Sequence, residues 1–195
     1  MIVKTNLDEI QSYIADAANF KGNCSAVYFP ETHDDIVDIV KEANNNKTEI
    51  TVAGNRTGLT GSGVPVSGIV ISTEKLNRII EINKEKKYAI VQPGVLLSEL
   101  QDKVNEYDLL YPPDPTETNC FIGGTIATNA SGSKSFKYGP TRNFVQELKI
   151  ILPDSEELNL VRGKNLANGN NLALKSKSGK DFIIELPVYK MPSTK

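Results

Sequence analysis

The residues of this chain best placed to do chemistry lie in Thr51–Gly63, Thr-Val-Ala-Gly-Asn-Arg-Thr-Gly-Leu-Thr-Gly-Ser-Gly. Gly54, Gly58, Gly61 and Gly63 let backbone approach a ligand closely and take positive φ. Successive N–H groups in such a turn form a nest that binds anions. Arg56 adds a permanent positive charge carried on a planar fork of donors. The plainest ligand for this set is a diphosphate. Two common phosphate loops are excluded. A Walker loop needs lysine where Val64 stands, although Gly58 and Gly63 have its glycine spacing. The Gly-x-Gly-x-x-Gly fingerprint begins at Gly61-Ser62-Gly63 and is broken by Val66. The competing reading is a flexible glycine-rich connection.

A second small-residue stretch weighs against that competing reading. Leu109–Thr116 carries Pro112, Pro113 and Pro115, which force a rigid extended path. Cys120–Gly132 follows, almost free of charge. A short helix from Gly123 to Asn129 would have one face nearly bare of side chains. That suits either close approach by a flat ring or tight packing against a sheet, and the residues alone leave both open.

These stretches need elements to hold them. Leu7, Ile10, Ile14 and Ala17 fall at helical spacing, with Thr5 and Asp8 as a capping signal and Gly22-Asn23 as the stop. Ala26–Phe29 reads as a strand. Thr32–Asp35 opens a second helix with Ile36, Ile39, Val40 and Ala43 on one face, ended by Asn44–Asn46. A strand at Ile50 completes a parallel crossover. Beyond the loop, Ile69–Ser72, Ile79–Ile82 and Tyr88–Gln92 are strand candidates, the last two forming a hairpin. Lys84, Lys86 and Lys87 read as its solvated tip. Leu97, Leu100, Val104 and Tyr107 mark a further helix. Phe144–Leu152 and Leu158–Leu160 form another hairpin, Gly163–Gly179 reads as a polar mobile loop, and Asp181–Leu186 as a last strand. Met191–Lys195 follows with no closing element.

Composition excludes several classes. A length of 195 residues allows one domain or two small lobes, and 39% hydrophobic with 24% charged residues is ordinary for a globular chain. A net charge of −2 gives no basic surface for nucleic acid. No apolar run is long enough for a membrane span, and the first residues lack a signal peptide's apolar core. Cys24 and Cys120 have no CxxC partner and suggest a reducing compartment. His33, the one histidine, reads as an exposed polar residue in a first helical turn, so no metal site is expected.

Four stretches in this order resemble the FAD-binding domain of the vanillyl-alcohol-oxidase/p-cresol-methylhydroxylase (PCMH) superfamily. They are Gly54–Gly63, Ala89–Val95, Tyr111–Pro115, and Ile122–Gly132 with Lys137-Tyr138-Gly139. The most similar branch is that of FAD-linked 2-hydroxy-acid dehydrogenases, including glycolate oxidase and D-lactate dehydrogenase. The resemblance implies an α+β, two-lobed PCMH-type fold: a small parallel α/β lobe over about residues 1–72, then a mainly antiparallel sheet flanked by helices over 73–195. It implies that Gly54, Asn55, Arg56, Thr57, Gly58, Leu59, Thr60 and Gly61 cradle the FAD pyrophosphate. It places Pro113, Asp114, Thr116, Asn119, Gly123, Gly124, Thr128, Ala130 and Ser131 along the flavin end. Many relatives have arginine where this chain has Ala53, which leaves Arg56 to supply that charge. Covalent flavoproteins of the family often carry histidine in this loop, where Asn55 and Arg56 stand, so non-covalent FAD is expected.

The resemblance further implies a Gly-Ser-Glu-Gly stretch and a cap domain with the substrate and catalytic residues, neither of which occurs here. The expectation is therefore the FAD-binding part of an enzyme that oxidises a 2-hydroxy acid of the D-lactate or glycolate type, inactive as an isolated chain, with no catalytic residue of its own assigned. Its electron acceptor would be a protein or a quinone, and its place cytoplasmic or peripheral at the inner membrane. The alternatives are a stand-alone, non-catalytic FAD-binding subunit and a flavin reductase of the enolpyruvyl-uridine-diphosphate-glucosamine reductase type.

Overall fold

A computed structural model describes residues 1–188. The unclosed end expected at Met191–Lys195 lies outside those residues. Compactness divides the chain after Phe144.

The first unit is built on a four-stranded sheet in the order β1-β2-β4-β3, with β1 at Ile2–Lys4, β2 at Ala26–Phe29, β3 at Ile50–Ala53 and β4 at Ile69–Ser72. β4 pairs in parallel with both β2 and β3, and β1 runs antiparallel along the edge of β2. The expected crossover therefore exists, but β2 and β3 do not touch, because β4 enters between them. Central β4 is buried at every position, as its uninterrupted apolar run Ile69-Val70-Ile71 requires.

The crossover helix α2, His33–Asn46, begins with a complete capping box. Thr32 accepts the Asp35 N–H, and the Asp35 carboxylate accepts the Thr32 N–H. The helix ends at Lys47 in the left-handed conformation, and it buries Ile39, Val40 and Ala43. A separate cluster of Ile10, Tyr13, Cys24, Val27, Phe29, Ala53 and Val70 joins the N-terminal segment to the sheet.

The N-terminal helix is much shorter than its spacing suggests. α1 covers Leu7–Ile10, a 3-10 turn covers Gln11–Tyr13, and the cap is Asn6, not Thr5, accepting the Asp8 N–H at 2.9 Å. Asp16 ends the helical path, because its carboxylate accepts the N–H groups of Ala18 and Phe20 and offers the backbone an alternative to helix. Ala15 and Lys21 then form a β-bridge.

The rest of the first unit is a hairpin with helices. β5, Ile79–Asn83, pairs antiparallel with β6, Tyr88–Val91. At its tip Lys84 pairs with Asp108 at 2.8 Å. Helix α3, Leu97–Asn105, buries Leu97, Leu100 and Val104 against Val95 and Ile122, with Ile79, Ile82, Ala89 and Val91 packed alongside. Tyr107 lies beyond the helix and is exposed. Two short helices, α4 at Ile122–Ala127 and α5 at Ser135–Tyr138, precede a 3-10 turn at Thr141–Asn143.

Among its described residues the second unit has two antiparallel hairpins. β7, Glu147–Ile151, pairs with β8, Glu157–Val161, and β9, Asn171–Lys175, pairs with β10, Asp181–Glu185. β9 lies inside the stretch read as a mobile loop. Its Leu172-Ala173-Leu174 alternation is hidden by flanking asparagines and lysines, and only pairing with β10 makes it a strand. Among the described residues, no helix is long and apolar enough to cross a membrane.

Thr32→Ala removes the side-chain half of the capping box. It is expected to lower unfolding free energy by about 1 kcal/mol, read as a shifted denaturant midpoint at unchanged slope.

Candidate cofactor site

The connection from β3 to β4 has no helix and no strand. Gly54, Asn55, Arg56 and Thr57 are half-buried, Gly58, Leu59 and Thr60 are exposed, and Gly61 is half-buried. Three contacts tie the Gly54–Gly61 part of this loop to other segments. The Asp16 carboxylate accepts the Gly61 N–H at 2.9 Å, with Gly61 at φ +74° beneath the Phe20 ring. The Arg56 guanidinium lies 4.2 Å from the centre of the Tyr13 ring. Asn55 Nδ2 donates to the Asn119 carbonyl at 2.6 Å. Among the described residues, no acceptor meets the N–H groups from Arg56 to Thr60. Arg56 Nη1 is buried without a partner. An anion would supply acceptors for these donors.

The two predicted stretches come together. Besides the Asn55–Asn119 bond, a Cβ at Gly54 would sit 3.9 Å from Phe121 at the start of α4. α4 then divides the two readings of its glycines. A Cβ at Gly123 would approach Pro93 Cβ to 2.7 Å, and the Gly123 N–H donates to the Pro93 carbonyl at 2.8 Å. Gly123 is therefore a packing glycine. A Cβ at Gly124 would meet nothing within 4 Å, so this position faces open space and suits the approach of a ring. Thr128 turns its hydroxyl back to the Gly124 carbonyl at 2.9 Å.

The proline segment meets the turn that follows α4. Pro113 is fully buried, and Gln101 Nε2 donates to its carbonyl at 2.9 Å and to the Tyr111 carbonyl at 3.2 Å. A Cβ at Gly132 would fall 1.6 Å from the Asp114 carbonyl oxygen, so only glycine lets the two segments touch. Ser133 donates to the Asp114 carboxylate at 2.8 Å, and Lys134 stands 3.6 Å from it. Ala130 is fixed by buried Thr141, whose hydroxyl and N–H both donate to its carbonyl at 2.7 and 3.1 Å. Thr116, Asn119 and Ser131 are exposed. Asp16, Tyr13, Glu74, Gln101 and Thr141 were not singled out by sequence reasoning. Each acts across a long sequence separation or through a local Asx-type turn, and no motif announces them.

Two tyrosines near this surface have strongly altered acidity. Burial, then the hydrogen bond to Glu74 at 2.7 Å, pushes Tyr13 up to about 12. Burial, then Cys120, pushes Tyr111 up to about 12.

The model of a family described as "FAD binding domain" matches residues 24–160. A D-lactate dehydrogenase of Anaerostipes hadrus is 36% identical over 83% of this chain and 35% of its own length. A D-2-hydroxyglutarate dehydrogenase of Stutzerimonas stutzeri is 35% identical over 81% of this chain and 35% of its own length. The chain thus spans about a third of the length of these curated relatives. Among solved structures, an alkyldihydroxyacetonephosphate synthase superposes with a TM-score of 0.73 at 21% identity, covering 84% of this chain and 36% of that one, a likeness of fold.

Two outcomes are expected. Gly123→Ala overpacks against Pro93 and should cost about 1–3 kcal/mol of stability, whereas Gly124→Ala should stay within about 0.5 kcal/mol of the parent in denaturant melts. Tyr13 and Tyr111 bind their protons more tightly folded than unfolded. Their contribution is fully present below the ordinary tyrosine value of 10 and is lost as pH rises toward 12. Stability should fall across that window, and phenolate absorbance should show at least two tyrosines ionising late.

Proposed function

This chain belongs to the FAD binding domain family, and we propose that it is the flavin-binding part of an FAD-dependent oxidoreductase that converts a D-2-hydroxy acid to the 2-oxo acid. The observation that carries the reading is the β3–β4 loop. Its N–H groups from Arg56 to Thr60 have no protein acceptor among the described residues, and Arg56 Nη1 is buried and unpartnered. A Cβ at Gly58 or Gly63 would meet nothing within 4 Å. These features fit the diphosphate of FAD. The open face at Gly124 fits a flat ring. The names of the relatives support the substrate class.

In this reading Gly54 to Gly61 hold the diphosphate through backbone N–H groups and the Arg56 guanidinium. Gly124, Thr128, Ala130 and Ser131, with Pro113, Asp114, Thr116 and Asn119, line the flavin end, and Gly123 contributes by letting α4 sit against Pro93. A bound FAD supplies a two-electron acceptor. The chain's own contribution is a loop of backbone donors for the diphosphate and a bare surface at Gly124 against which the ring is oriented. Asn55 and Arg56 stand where a covalent histidine link would form, so FAD is held without a covalent bond. The substrate-binding and catalytic groups belong to portions of the protein outside the matched segment, and the isolated chain has no turnover. The reoxidant is an acceptor protein or a quinone, reached in the cytoplasm or at the inner membrane surface.

Gly58→Val tests the loop. Gly58 is exposed and its φ lies outside the left-handed region, so the variant should melt close to the parent. Its side chain would project into the diphosphate slot, and the purified protein, expressed at its natural length, should lose its yellow flavin. A variant as yellow as the parent would refute the loop as the diphosphate site. Turnover of D-lactate, D-2-hydroxyglutarate and glycolate with an artificial electron acceptor identifies the acid. A parent that binds FAD and oxidises none of them would refute the enzymatic part.

A further inference from the structure

Arg56 sits in two costly states at once. Its backbone has φ +56°, in the left-handed region that side chains other than Gly, Asn and Asp rarely enter. Its Nη1 is buried without an acceptor. A flexible surface arginine would relax out of both. Strain of this kind persists only where the surroundings over-determine it.

Tyr13 supplies that surrounding. Its face carries the Arg56 guanidinium, centred 4.2 Å away. It packs edge-to-face with Phe29, with ring centres 5.3 Å apart at 83°. Its hydroxyl donates to Glu74 at 2.7 Å. Tyr13 is 8% exposed and belongs to the core cluster that includes Ala53, the last residue before the loop. Tyr13 also lies ahead of residues 24–160, outside the segment the family model matches.

We propose that Tyr13, fixed by Glu74 and Phe29, is a positioning residue that holds the Arg56 guanidinium for the diphosphate of the bound flavin dinucleotide. This rests on the reading of the β3–β4 loop as the diphosphate site. Contact with the ring restricts the guanidinium, and a restricted guanidinium can direct its paired N–H fork at phosphate oxygens. Without the ring, the charge stays near the loop but loses its orientation.

The test compares FAD with riboflavin, which has the ring and no phosphate. Tyr13→Met, Arg56→Ala and the double variant are prepared in the protein at its natural length, and both affinities are measured by flavin fluorescence. Each single variant should weaken FAD about tenfold or more, the double variant little further, and riboflavin affinity should stay unchanged. In the parent, titration with ADP should shift the NMR signals of the Tyr13 ring and the Arg56 side chain together. This measurement stands even if Tyr13→Met fails to fold. Several results would overturn the proposal: FAD affinity unchanged or raised in Tyr13→Met, equal losses for FAD and riboflavin, strictly additive losses, or an unmoved Tyr13 ring while the loop amides respond to ADP. A parent that binds no FAD overturns this proposal together with the reading beneath it, whereas a neutral Tyr13 in an FAD-binding parent overturns this proposal alone.

Discussion

β3 and β4 are parallel neighbours, so the chain leaving Ala53 has to travel back along the sheet before Ile69 can pair beside it. Such a return usually takes a helix, which would satisfy its own backbone. Here residues 54–68 make it as irregular chain. Their N–H groups therefore need other partners, and unpaired backbone donors are tolerated only where water or a ligand can reach them. This requirement shapes the site. The return path keeps a row of donors at the surface, and the protein spends its own contacts on fixing the path's shape.

Those contacts come from segments far apart in the chain. Asp16 holds Gly61 from the N-terminal segment, Tyr13 holds Arg56 from the core, and Asn119 holds Asn55 from the stretch before α4. The Asn23 N–H donates to the Pro65 carbonyl at 2.9 Å, and a Cβ at Gly22 would fall 1.8 Å from that oxygen. The early end of α1 thus has a use. A continuous helix through Ala17 would redirect the Asp16 side chain, whose carboxylate accepts the Gly61 N–H.

The side proposed to face the flavin follows the same logic at different positions. The first two N–H groups of α4 are already spent on the Val95 and Pro93 carbonyls, so this short helix anchors itself to the end of the β5–β6 hairpin. What it offers a ligand is the bare surface at Gly124. Gly132 lets the proline segment close against the Ala130–Lys134 turn, and Thr141 holds Ala130 from behind. Rigidity on one side of the backbone and bareness on the other are what an oriented planar cofactor requires.

Features governed by neighbours along the chain are legible in the sequence alone. The helix opening at Thr32–Asp35, the apolar face of α2 and the β5–β6 and β7–β8 hairpins are each set within a few residues, so pattern reveals them. Features that depend on the residue opposite emerge only when the chain is folded. β4 entered between β2 and β3, Asp16 cut α1 short, and β10 drew β9 out of a polar stretch. Gly123 and Gly124 are the sharpest case. They are adjacent and identical in type, yet one is filled by Pro93 and the other faces open space, because a glycine's role is fixed by what its missing side chain would have met.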